Sequence, residues 1–130
     1  MGLSAEAIRN GLDSIAAREP GMARALARVG YPEPRLRPTG HVTMLRTIVG
    51  QQVSVAAAAS MWRKLEAHIG EAMEPQRILA ADFDALRACG LSRQKQGYAR
   101  SLCELVAAGA IDFAALPRDD EEAIGLLTQI

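Results

Sequence analysis

An all-α fold is predicted for this chain, a multi-helix domain without a sheet, and three observations predict it. The apolar content, 49% of 130 residues, is carried by Ala, Leu and Val, with only Trp62, Tyr31, Tyr98, Phe83 and Phe113 as aromatics. That composition favours helices over strands. Apolar residues recur at three- and four-residue steps in segment after segment, and no strand-like alternation lasts beyond a few residues. Ser or Asp stands before several of these segments and Gly stands behind, which is the punctuation of capped helices. At this length one core is expected, burying roughly two thirds of the surface the unfolded chain exposes. The domain is therefore read as one unit over residues 1–130.

Ser4 caps a first helix over about residues 5–18, with Glu6 in the first turn where the helix dipole favours a carboxylate. Its apolar positions are Ala5, Ile8, Leu12, Ile15 and Ala16. Pro20 opens a second helix through Leu26 and Val29, and Gly30 ends it, giving a helical hairpin. Residues 31–40 hold Pro32, Pro34, Pro38 and Gly40 and form a connector, because proline at this density cannot continue a helix. A third helix starts near His41, gathers Met44, Leu45, Ile48 and Val49 on one side, and stops around Gly50 and Gln51. Ser54 caps the fourth, residues 55–69, whose stripe is Val55, Ala58, Trp62, Leu65 and Ile69 and whose Ala56 to Ala59 run lets another backbone approach. This is read as the central helix. Short helices follow over residues 75–80 and, capped by Asp82, over residues 83–89, with Gly90 as the stop. Ser92 caps a longer helix to residue 108 with Tyr98, Leu102, Leu105 and Val106 as its expected buried stripe, and Gly97 inside it marks close packing. Asp119 and Glu122 form a capping-box pair before Ala123, Ile124, Leu126, Leu127 and Ile130, a helix that meets the end of the chain.

Charge and sequence motifs exclude several classes. Net charge is zero, which argues against a strongly basic nucleic-acid binder. Its distribution is uneven: residues 18–64 carry eight basic against two acidic residues, and residues 104–130 one basic against six acidic. The first stretch could face phosphate and nucleic acid would avoid the second, but charge asymmetry alone favours the plainer reading that both are solvated faces of a helical protein. No apolar run approaches the ~18 residues of a membrane span, and a cytoplasmic protein without membrane contact is expected. Cys89 and Cys103 stand apart, without a neighbouring His or glycine elbow, and read as small buried hydrophobes. His41 and His68 lack partners at metal-ligand spacing, so neither a metal nor a cofactor is implied.

The segment with chemical meaning is Ile48-Val49-Gly50-Gln51-Gln52-Val53-Ser54, where an apolar helix ends in two amides and restarts at a capping serine. Such a corner presents side chains on a rigid support, and an amide can both fill space and hydrogen-bond a base edge. With the alanine-rich helix carrying Trp62, then Leu86-Arg87-Ala88-Cys89-Gly90-Leu91-Ser92 with Lys95, and last Leu126-Leu127-Thr128-Gln129-Ile130, it resembles the helix-hairpin-helix DNA glycosylase superfamily. The likeness is greatest to the DNA-3-methyladenine glycosylase II branch.

The resemblance implies a base excision repair enzyme that bends double-stranded DNA, flips an alkylated nucleotide into a pocket and hydrolyses its N-glycosidic bond. Gln52 takes the position of the wedge residue, and Gln51, Val53 and Ser54 shape the corner. Ser54 reads more as a cap than as a contact, and Gln51 is equally well explained by satisfying backbone groups at the junction. Arg93 and Lys95, on a capped helix start, suit a phosphate or the strand opposite the lesion; the alternative is a solvated first turn. In the family an aspartate beyond the hairpin stabilises the cationic sugar of the transition state. Asp112, Asp119 and Asp120 precede that place and do not match it, so no catalytic residue is assigned.

The expectation is thus the N-terminal part of a monofunctional glycosylase, cut before hairpin and catalytic aspartate and inactive by itself. Its apolar scar near Leu126 and Ile130 predicts self-association or marginal stability. The alternative is a non-catalytic helical module that binds DNA or protein. A helix-turn-helix regulator is a third reading, for which neither the Gln51-Gln52 corner nor neutral charge is expected.

Overall fold

The computed structural model describes residues 2–130; Met1, the first residue of the expected domain, lies outside them. Eight helices and no strand are present among the described residues, as the composition and spacing predict. The described residues fall into two compact units, 2–38 and 39–130.

The first unit is a hairpin of α1 (Ala5–Ala16) and α2 (Pro20–Val29). Ser4 accepts from the Ala7 amide at 3.1 Å and so satisfies one of the four free N–H groups at the start of α1. The helix stops two residues short of the expected end, because Glu19, preceding Pro20, is forced into extended backbone at φ −122°. Ile8, Leu12 and Ala16 face Met22 and Leu26 across a half-buried seam, and no residue of either helix is fully buried. Tyr31 donates its hydroxyl to the Asp13 carboxylate while the Arg9 guanidinium lies 5.0 Å over its ring.

The second unit holds the core. Its helices are α3 (His41–Gly50), α4 (Val55–Ile69), α5 (Pro75–Ala80), α6 (Phe83–Ala88), α7 (Arg93–Ala107) and α8 (Asp120–Leu127). Leu45, Ile48 and Val49 of α3 meet Trp62, Leu65 and Ile69 of α4, Ile78 of α5, Leu86 of α6 and Ala99, Leu102 and Cys103 of α7 in one cluster. At six residues each, α5 and α6 are too short to hold in water alone, and burial of Ile78 and Leu86 stabilises them by about 1.5–3 kcal/mol apiece. Polar ties assist. Arg100 of α7 donates to the Leu79 carbonyl at 2.9 Å and the Ala81 carbonyl at 2.5 Å, closing the end of α5. Gln96 is 3% exposed and gives its side-chain amide to the carbonyls of Phe83 and Leu91, at either end of α6. His41 donates from Nε2 to the Met73 carbonyl at 3.0 Å, pinning the start of α3 to the α4–α5 loop.

Five expectations need correction. By backbone approach the hub is α7, which packs against α3, α5 and α6, and not α4. The buried face of α7 is Gln96, Ala99, Leu102 and Cys103, two of them small, while Tyr98 is 40% exposed. Close approach in mid-helix selects small residues, so the bulky tyrosine turns outward. Val55 is 89% exposed because the face it shares with Trp62 runs past the end of the covering layer. A Cβ on Gly97 would meet nothing within 4 Å, so no close packing explains that glycine. Finally, α8 stops at Leu127, and the Thr128, Gln129 and Ile130 amides close its last turn on the carbonyls of Ile124, Leu126 and Leu127. Of the expected capping box, Asp119 accepts from the Glu122 amide at 3.0 Å.

Candidate functional site

The junction of α3 and α4 is a corner of four exposed residues. Gln51 leaves the helix in extended backbone, φ −63° and ψ 135°, with its N–H on the Ile48 carbonyl. Gln52 then takes φ +55°, the left-handed region that costs a non-glycine residue about 1–2 kcal/mol. Val53 is 39% exposed, and Ser54 restarts the chain as the cap of α4, its hydroxyl accepting from the Ala57 amide at 3.2 Å. The turn reverses within four residues because Gly50 ends one helix beside Ala58 of the next; a Cβ on Gly50 would sit 3.8 Å from that of Ala58.

This corner is one wall of a cleft of about 790 Å³. Its lining joins Gln51, Gln52 and Val53 of the corner and Met44 and Ile48 of α3 to Ser92, the cap of α7, to Gln94, Lys95 and Tyr98 of that helix, and to Leu127 and Ile130. Ser92 caps α7 through the Lys95 amide, Gln94 donates to the Tyr98 hydroxyl at 2.9 Å, and Lys95 reaches back to the Val49 carbonyl at 2.7 Å. The lining combines apolar surface with three glutamine amides and one ammonium, and contains no carboxylate, imidazole or thiol. It can receive a planar, partly apolar group and hydrogen-bond its edge; none of its side chains is an evident general acid or base.

Of the six residues expected at the site, Gln51, Gln52, Val53 and Lys95 come together in this cleft. Ser54 is engaged as a helix cap. Arg93 lies 4.9 Å over the Phe83 ring and, with Arg87, borders an adjoining depression instead. Arg46 of α3 likewise lies over a ring, 5.3 Å from the centre of Trp62. Sequence reasoning missed Tyr98 as a cleft residue, having given it to the core; the available signal was its i,i+4 spacing from Gln94, which pairs two polar groups on one exposed face. The thiols stand outside the site: burial pushes Cys103 up to about 11, and burial also raises Cys89. No group of three or more His, Cys, Asp or Glu that could hold a metal ion occurs among the described residues. No described helix is long and apolar enough to cross a membrane.

Comparison with known proteins gives matches over this region. The family described as HhH-GPD superfamily base excision DNA repair protein matches residues 45–126. DNA-3-methyladenine glycosylase 2 of Escherichia coli is 32% identical, over 79% of this chain and 41% of that protein. DNA-3-methyladenine glycosylase 1 of Schizosaccharomyces pombe is 31% identical, over 67% of this chain and 40% of its own length. The crystal structure of a DNA-3-methyladenine glycosidase from Bacillus halodurans superposes with a TM-score of 0.78 at 26% identity, covering 98% of this chain and 59% of that one. The chain thus spans about two fifths of the length of the two curated relatives.

Proposed function

The chain belongs to the HhH-GPD superfamily of base excision DNA repair proteins, and from that premise we propose that it forms the duplex-opening part of a DNA glycosylase that hydrolyses the N-glycosidic bond of alkylated purines. The observation that carries the reading is the exposed corner of residues 51–54, with the left-handed Gln52 lining a cleft of about 790 Å³. A side chain on a rigid helix junction can enter the gap left by a flipped nucleotide and offset part of the few kcal/mol that unstacking costs. Gln51 and Val53 shape the wedge, Ser54 fixes its geometry, and Arg93 meets the phosphate backbone. The two units belong to one glycosylase domain in this reading.

Hydrolysis needs a group that stabilises the cationic sugar as the bond breaks. The cleft lining supplies none, so the reading assigns the cleft to binding and distortion and the charge-stabilising step to a residue outside its lining. The substrate is double-stranded DNA bearing alkylated bases, as the names of the relatives suggest, and the site of action is the cytoplasm.

The test is to incubate the full-length protein with methylated duplex DNA and separate the released bases by chromatography. Release of free alkylated purine supports the proposal. Tight binding to the duplex with no base released favours the non-catalytic module.

A further inference from the structure

Lys95 is out of place on its own helix. It is the third residue of α7, at the positive end of the dipole, where a cation is electrostatically disfavoured. Its side chain instead crosses to the far end of another helix, where Nζ donates to the Val49 carbonyl at 2.7 Å in a half-buried contact across 46 residues of sequence. Val49 lies in the last turn of α3, whose carbonyls lack an intrahelical partner and where a cation is favoured. The contact therefore satisfies an orphan acceptor that α3 cannot satisfy itself.

Gln52 follows Val49 by three residues. A non-glycine residue at φ +55° keeps that conformation only where its surroundings over-determine it. On the far side, Ser54 holds the start of α4 through the Ala57 amide. On the near side the exit of α3 is held by Lys95. We propose that Lys95 is a positioning residue, whose ammonium fixes the end of α3 so that Gln52 is presented in its left-handed conformation to the duplex, and that it is not a phosphate contact. This rests on the corner acting as the wedge.

The test uses the full-length protein and a duplex carrying 2-aminopurine beside an abasic-site analogue, at saturating protein, so that fluorescence reports unstacking apart from affinity. Lys95→Met is expected to lower the fluorescence rise at least threefold, as Gln52→Ala does. Affinity for undamaged duplex should stay within twofold and the salt dependence of binding should be unchanged. Lys95→Arg, which can still donate to Val49, should restore at least half of the signal. A thermal melt checks folding, and Lys95→Gln, too short to reach Val49, carries the same readout where Lys95→Met does not fold. A salt slope reduced by about one with full fluorescence marks a phosphate contact and overturns the inference. Loss in Gln52→Ala without loss in Lys95→Met overturns it alone. A full signal in Gln52→Ala overturns the wedge reading and this inference together.

Discussion

The side-chain amide of Gln94 donates to the Tyr98 hydroxyl at 2.9 Å, one helical turn on, and both residues line the cleft that the α3–α4 corner bounds. The tyrosine is thereby kept on the wet face of α7 while Ala99 and Cys103 take the core. Stacking of a base on an aromatic ring is worth about 1–3 kcal/mol. Tyr98→Ala should weaken binding to a duplex with an abasic-site analogue by roughly 5- to 150-fold, whereas Tyr98→Phe should retain most of the affinity. Fluorescence anisotropy titration checks both, and equal affinities in all three proteins would remove Tyr98 from the interface.

Gln52 sets stability against function. Its left-handed backbone suits glycine, so Gln52→Gly should leave the protein as stable or raise stability by up to about 1 kcal/mol. The same change deletes the side chain that fills the gap in the duplex, and 2-aminopurine unstacking should fall. Urea unfolding beside that fluorescence assay separates the effects. A substantial loss of stability in Gln52→Gly would mean that the side chain holds the corner rather than serving the DNA.

Two glycines should answer alanine in opposite directions. Gly97 is a helix-interior residue whose added Cβ meets nothing within 4 Å, so Gly97→Ala should stabilise the protein by about 0.5–1 kcal/mol. Gly90 has φ +101°, and a Cβ there would stand 2.8 Å from the Met61 side chain. Gly90→Ala should destabilise by about 2 kcal/mol or more through strained backbone and the displaced methionine. Chemical denaturation of the two variants gives both signs.

Arg100 joins α7 to the end of α5 through the carbonyls of Leu79 and Ala81. Truncating a charged donor from two half-buried carbonyls costs about 2–3 kcal/mol, so Arg100→Met should lower the unfolding free energy by that amount. Arg100→Lys should recover only part, since one ammonium lacks the planar fork. A melting temperature unchanged in Arg100→Met would show that the tie contributes nothing.

Stability should also depend on alkaline pH through Cys103. Burial raises this thiol from an ordinary 9.0 to about 11, so between those values the folded state holds a proton that the unfolded state has released. The contribution is complete below pH 9 and is lost as pH rises towards 11, on the order of 2 kcal/mol in all. Cys103→Ala should flatten that decline in urea-unfolding free energies measured from pH 8 to 11.

Local signals were legible in the sequence. Ser4, Ser54, Asp82, Ser92 and Asp119 each accept from the amide three residues on, because a short side chain in extended backbone satisfies a free N–H whatever the rest of the chain does. The Gln51-Gln52 corner was legible for the same reason, lying between a stop and a cap. What escaped depends on distant partners. Tyr98 and Val55 were assigned to the core by periodicity, which names a face but not how closely, or how far along, another layer covers it. The Lys95 to Val49 contact joins positions 46 residues apart, and no spacing rule announces it.

The most direct test of the wedge at Gln52 is the single-turnover rate of alkylated-base release by the full-length protein and its Gln52→Ala variant on methylated duplex. The account predicts measurable release by the unsubstituted protein and a rate at least about tenfold lower in Gln52→Ala, with an unchanged melting temperature, since about 1.4 kcal/mol of lost gap-filling is a factor of ten. Equal rates in the two proteins, or no release by the unsubstituted one, would contradict it.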